Sequence, residues 1–145
     1  MKKVEVRLTV RAPQALILKS FADYAHAPIL HKKYVQSVKI IEENGDISIA
    51  VWKLKVLGFW ITSRQKQTVY FPDRLVNETI GGFAKGTIEV TLLKQTGEQT
   101  DIIDTIEVRV PGLLKPLEGI IAFYTRHLVT QILTDHKNQI EVANR

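Results

Sequence analysis

The chain has 145 residues, no cysteine, and 20 Lys and Arg against 15 Asp and Glu, a formal net charge of +5. The lack of cysteine excludes disulfides and thiolate chemistry and fits a reducing, cytoplasmic setting. No apolar run approaches the ~18 residues needed to span a bilayer. No basic run exceeds two residues, so a nucleic-acid partner is disfavoured, while anionic surfaces or ligands stay open.

At the start, Val4, Val6, Leu8 and Val10 alternate with Glu5, Arg7, Thr9 and Arg11. That period of two is a half-buried strand, not the continuous apolar core of a signal peptide. Ala12-Pro13 ends it, and Pro13 suits the first turn of a helix, where its missing N–H is not needed. Ile17, Leu18, Phe21, Tyr24 and Ala25 follow at helical spacing, and Pro28 opens a shorter helix through Tyr34.

Strands then return: Val35 to Glu42, a turn at Asn44-Gly45-Asp46, Ile47 to Val56, a tip at Gly58, and Ile61 to Phe71. Leu75 to Ile80, Thr87 to Leu93 and Asp101 to Val110 complete the series, separated by Gly81-Gly82 and Gly97. From Lys115 to about Val142 no turn cluster intervenes, and Leu117, Ile120, Ile121, Tyr124, Leu128 and Ile132 form one apolar stripe. This helix is roughly 40 Å long at 1.5 Å per residue. The spacing predicts one α+β domain over residues 1–145: a seven-stranded antiparallel sheet, two short helices after strand 1, and a long C-terminal helix. A twisted sheet wrapped around one helix leaves a space between them that side chains alone do not fill.

The stretches VEVRLTVRAPQAL, FADYAHAPILHKKYVQSVKIIEENGD, FPDRLVNETIGGFAKGTIEV and RHLVTQILTDHKNQIE, with this order of elements, resemble the SRPBCC (START-like, helix-grip) superfamily. The likeness is strongest to its polyketide cyclase/dehydrase and coenzyme-Q-binding group. The resemblance implies a curved sheet gripping the last helix over a deep pocket for lipids, isoprenoid quinones, polyketides or aromatics. Some members are enzymes, others transport proteins, and others bind macromolecules. No cyclase active-site motif of the family matches this sequence.

Strand parity brings three connections to one end: the tip at Leu57 to Trp60, the loop Gly81 to Gly86, and the lead-in Pro111 to Pro116. Leu57, Phe59, Trp60, Phe83, Leu113 and Leu114 make them apolar, and Lys55, Lys85 and Lys115 fringe them. These residues read as the mouth of the cavity, able to meet an anionic bilayer as a peripheral surface, or as a plug that closes the core.

Alternation points Trp52, Leu54 and Val56 inward, with Ser63, Gln65, Gln67 and Val69 on the next strand. Gln65 and Gln67 are candidates for orienting a ligand carbonyl or hydroxyl. The expected ligand-binding set is therefore Trp52, Leu54, Phe59, Trp60, Gln65, Gln67 and Phe83, together with Leu113, Leu117, Ile121, Tyr124 and Leu128 from the helical side. Tyr124 would pack by its ring, its hydroxyl bonding a ligand or a neighbouring backbone group.

Glu78 lies between Val76 and Ile80, and Asp104 between Ile102 and Ile106. Under simple alternation both carboxylates enter the cavity as candidate general acid or base. Leu75 and Ile103 offer the opposite phase, which would leave both acids in solvent. His26 and His31 share no face, His127 flanks the last helix and His136 lies near its end. None has metal-ligand spacing, and neither metal nor cofactor is expected. Lys53, Lys55, Arg64 and Lys66 gather on the outer face of one hairpin.

The function expected is binding, transport or shielding of a hydrophobic or amphipathic small molecule such as a lipid, quinone or polyketide. A cyclase or dehydratase working by acid–base chemistry, and an interaction module using the basic outer face, are the alternatives.

Overall fold

The computed structural model describes residues 2–23, 27–56 and 58–143. Readings placed on Tyr24, Ala25, His26 and Leu57 lie outside the described residues. The order is β1 (Lys2–Val10), α1 (Gln14–Ala22), α2 (Ala27–Leu30), β2 (Val35–Asn44), β3 (Ile47–Val56), β4 (Phe59–Tyr70), β5 (Arg74–Gly82), β6 (Ile88–Thr96), β7 (Gln99–Val108) and α3 (Glu118–Ala143).

The strands form one seven-stranded antiparallel sheet in the order β1-β7-β6-β5-β4-β3-β2. Short turns dictate the run from β2 to β7, and β1 closes on β7. The β3–β4 tip, the β5–β6 loop and the exit from β7 consequently share one end. Pro13 caps α1, its carbonyl accepting from Leu16 N at 3.1 Å and Ile17 N at 3.2 Å.

Two helical expectations change. The second short helix stops at Leu30 and not at Tyr34, because the chain turns at His31, whose carbonyl accepts from Tyr34 N and Val35 N at 2.9 Å. The last helix does not run unbroken from Lys115. A 3₁₀ turn spans Gly112–Leu117 with Pro116 inside it, and the α-helix starts only after that proline, which has no N–H to give.

β2 carries an extra residue at Gln36 and another at Ile41, where its pairing with β3 shifts register. A further shift falls on β5 at Ile80, between the pairs Arg64–Gly81 and Gln65–Thr79.

The core gathers at the β1–β7–β6 side. Val4, Val6, Val10, Ile102, Ile106 and Leu93 pack against Ile17, Leu18 and Phe21 of α1 and Ile121, Leu133 and Ile140 of α3. α3 approaches the sheet along β1. Arg126 Nη1 donates to the Glu5 carbonyl at 2.9 Å, and Arg11 N donates to Glu141 Oε2 at 3.0 Å. With the helix fastened at that edge, the inner faces of β3, β4 and β5 curve round it across a gap.

Candidate functional site

The gap is a cavity of about 460 Å³. Its sheet wall is Trp52, Leu54 and Val56 from β3, Ser63, Gln65 and Gln67 from β4, and Leu75, Asn77 and Thr79 from β5. Glu89 and Thr91 of β6 and Asp104, Ile106 and Val108 of β7 continue it. Phe21 of α1 and Ile121, Tyr124, Leu128, Ile132 and His136 of α3 face them.

Of the expected ligand-binding residues, Trp52, Leu54, Gln65, Gln67, Phe83, Ile121, Tyr124 and Leu128 line this space. Phe59, Trp60, Leu113 and Leu117 do not, being 73%, 45%, 96% and 42% exposed. They lie on the outside of the rim because the β3–β4 tip turns its side chains to solvent, and Leu113 and Leu117 bracket the 3₁₀ turn before α3 has met the sheet. Trp60 sits under Lys55 Nζ, 5.9 Å from the ring centroid. The outer hairpin avoids like charges across strands: Lys53 pairs with Thr62, Lys55 with Trp60 and Arg64 with Val51, while Lys66 faces Glu78.

The two candidate acids separate. Glu78 is exposed, because β5 buries Leu75 and points Asn77 and Thr79 inward; the competing phase would have turned Leu75 to solvent and put a carboxylate on the inner face in place of an amide or a hydroxyl. Asp104 takes the inner face of β7 and is 1% exposed. Thr91 Oγ1 donates to Asp104 Oδ1 at 2.8 Å. Burial, then the Glu89 carboxylate beside it, pushes the Asp104 carboxyl well above its ordinary value of 3.8, and the two acids are hydrogen-bonded. Asn77 Nδ2 donates to Glu89 Oε1 at 3.4 Å. The result is an acid pair in an otherwise largely apolar wall, with Asp104 favouring its protonated form.

Glu89 escapes sequence reasoning because β6 runs inverted. Ile88 and Leu92 lie exposed while Thr91 and Leu93 are buried and Glu89 lines the cavity, so a reading that sends apolar residues inward sends Glu89 out. No signal within the strand marks that inversion: here the apolar face is the one turned to solvent.

Polar atoms elsewhere in the wall are partnered within the chain. Tyr124 Oη donates to the Lys55 carbonyl at 3.2 Å and Gln67 Nε2 to the Ala22 carbonyl at 3.1 Å. The hydroxyl of Tyr124 thus meets a backbone group, one of its two expected partners. Among the described residues, no buried side-chain nitrogen or oxygen lacks a hydrogen bond.

A second polar group sits on the helical side. His31 is 3% exposed, and it meets Asp135 and His136 from the far end of the sequence. His136 is therefore packed, not frayed: its ring lies edge-on to Phe21 with centroids 4.7 Å apart. Burial, then the neighbouring His31, lowers the His136 pKa from 6.5 to about 3, so this imidazole is neutral. Among the described residues no cluster of three His, Cys, Asp or Glu could hold a metal ion.

Phe83 reaches the cavity from the β5–β6 loop through a glycine hinge. Gly82 has φ +80°, and a Cβ there would lie 2.3 Å from the Thr62 carbonyl oxygen, the same oxygen that accepts from Phe83 N at 3.3 Å. Gly82→Ala is expected to cost at least about 2 kcal/mol, from backbone strain and collision together. The check is a urea midpoint, with Gly45→Ala as a comparison whose Cβ meets nothing within 4 Å; equal losses would show that only the positive φ matters.

Against this geometry stand three comparisons. The sequence profile of "Polyketide cyclase / dehydrase and lipid transport" matches residues 1–141. The chain belongs to that family. No curated protein matches its sequence. The polyketide cyclase/dehydrase and lipid transport fold recurs in TTHA0849 from Thermus thermophilus, at TM-score 0.88 and 14% identity over 99% of this chain and 100% of that one. It recurs in the Zhui aromatase/cyclase of a Streptomyces species, at TM-score 0.83 and 16% identity over 99% and 96%. It recurs again in a START superfamily protein from Mycobacterium smegmatis, at 0.77 and 16% over 95% and 98%. At such identities the likeness establishes the helix-grip fold, and the residues of the site speak for themselves. Among the described residues no helix is long and apolar enough to cross a membrane.

Proposed function

We propose that this chain binds an amphipathic small molecule between sheet and α3, its apolar body against Trp52, Leu54, Ile121 and Leu128 and an oxygen against the acid pair. The observation that carries this reading is the cavity of about 460 Å³ that combines an apolar lining from Trp52, Leu54, Ile121 and Leu128 with a polar stretch at Asp104, Glu89 and Thr91. Removing apolar ligand surface from water supplies the affinity, about 25 cal/mol per Å² before ordering costs. Asp104 gives its proton to Glu89, and the acid pair fixes orientation through carboxylate oxygens that accept from a guest hydroxyl. The family's description, with its cyclases and lipid transport, supports a ligand of this kind.

Native mass spectrometry of gently purified protein tests it, with titration of an apolar fluorophore such as Nile red. Stoichiometric uptake is expected, reduced at least about fivefold by Leu128→Trp, which fills the space, and unchanged by Phe59→Ser, which lies outside it. Uptake that follows Phe59 and ignores Leu128 would place binding on the rim and end the proposal.

A second reading rests on the acid pair itself. The one proton that Asp104 shares with Glu89 can pass to a ligand oxygen, and the carboxylate left behind takes a proton back from the substrate, which is the requirement for acid–base turnover of a carbonyl substrate. The aromatase/cyclase among the structural neighbours supports this class of substrate. Here Asp104→Asn would preserve binding and abolish turnover, and the pH–rate profile would lose a limb.

A further inference from the structure

Four side chains from two helices and the turn after α2 form one hydrogen-bonded chain on the helical wall. Ser20 Oγ of α1 lies 2.9 Å from His136 Nδ1, His136 Nε2 lies 3.2 Å from His31 Nε2, and His31 Nδ1 lies 3.0 Å from Asp135 Oδ2. Ser20, His31 and His136 all line the cavity. The Asp135 side chain is 35% exposed, so the far end reaches solvent.

For a neutral His31, counting protons fixes the direction of every bond. Two Nε2 atoms face each other, so one hydrogen lies between them. The Asp135 carboxylate only accepts, so His31 carries a hydrogen on Nδ1. With His31 neutral, its Nε2 is a lone pair, and His136 must hold its hydrogen on Nε2. His136 Nδ1 is then a lone pair, and the Ser20 hydroxyl must donate to it. All donors point the same way along the array, toward Asp135. What the chain offers a guest is the pair of free lone pairs on Ser20 Oγ.

We infer that Ser20 is a second ligand-binding site, a hydrogen-bond acceptor for a guest hydroxyl such as a phenol or alcohol, whose polarity is set by the proton at His31. The inference rests on the reading that the cavity takes an amphipathic guest. One proton taken in at Ser20 reverses the array by single steps. The Ser20 hydrogen moves to His136 Nδ1, the His136 Nε2 hydrogen moves to His31 Nε2, and the imidazolium of His31 pairs with Asp135. His136 is neutral before and after, in keeping with its lowered pKa. Ser20 then turns its hydroxyl into the cavity and becomes a donor, suited to a carbonyl. The charged and titratable groups around this array are Asp135 and His136 on α3, Asp23 at the end of α1, and Glu89 and Asp104 across the cavity.

The test has two arms. Ring-nitrogen NMR at about pH 8, where unperturbed imidazole is neutral, is expected to show His31 as the Nδ1–H tautomer and His136 as the Nε2–H tautomer. A hydrogen on His136 Nδ1 under those conditions overturns the inference. The second arm titrates 2-naphthol and 2-methylnaphthalene, a hydroxyl and a methyl of similar size, into the wild type and Ser20→Ala. The ratio of the two affinities is expected to fall by about fivefold in the variant, the worth of one hydrogen bond. An unchanged ratio, with both compounds bound, overturns the Ser20 site and leaves the cavity reading standing. Binding of neither overturns both.

Discussion

Asp104→Asn is expected to remove a contribution to stability that falls as pH rises above the ordinary carboxylate range. Asp104 keeps its proton in the folded chain because burial and Glu89 oppose ionisation, while the unfolded chain releases it near 3.8. Between those two values the native state binds the extra proton, so each pH unit upward costs about 1.4 kcal/mol of stability. Asparagine is nearly isosteric, still accepts from Thr91 and donates to Glu89, and does not titrate. The unliganded variant should therefore be the more stable protein at neutral pH. Urea midpoints across pH for both proteins decide the matter, and parallel curves would show that Asp104 ionises as freely folded as unfolded.

The opposite slope belongs to His136. Its pKa is lowered from 6.5 to about 3 in the folded chain, so below 6.5 the unfolded state takes up a proton that the native state refuses. That contribution to stability is complete above 6.5 and is lost as pH falls toward 3, by about 1.4 kcal/mol per unit and on the order of 5 kcal/mol in all. His136→Gln, which can still bridge Ser20 and His31, should flatten the acid limb. Where the two windows overlap, the wild-type slopes oppose one another and each substitution unmasks the other. A His136 ring that titrates near 6.5 in the intact protein would remove the basis of this expectation.

The fold was legible from period and punctuation. Val4 to Val10, the turn at Asn44-Gly45 and the apolar stripe from Ile120 to Ile132 each declared an element, and short turns left little choice of topology. The sheet half of the cavity was legible on β3 and β4, where Trp52, Leu54, Gln65 and Gln67 follow simple alternation. It failed on β5 and β6. There a single phase choice decides which acid is inside, and the phase follows from packing Leu75 and Leu93 against α1, which a local window does not see. The rim is a separate matter. Its apolar residues are exposed, as a mouth would show them, but Phe59 and Trp60 turn to solvent and take no part in lining the cavity. The Ser20–His136–His31–Asp135 array was invisible because its members lie up to 116 residues apart and meet only when α3 folds back over α1.

The two extra residues in β2 have a consequence for the chain's behaviour in company. β2 is one of the two margins of the sheet, ten residues long, with Ile40 and Ile41 both exposed. A straight strand of that kind invites a neighbouring molecule to add its own strand. The irregularities at Gln36 and Ile41 bend the margin, and Lys39, Glu42 and Glu43 charge it, so that a second copy finds no continuous row of donors and acceptors. Straightening the margin by deleting Ile41 would remove that protection, and light scattering at high concentration would register the self-association.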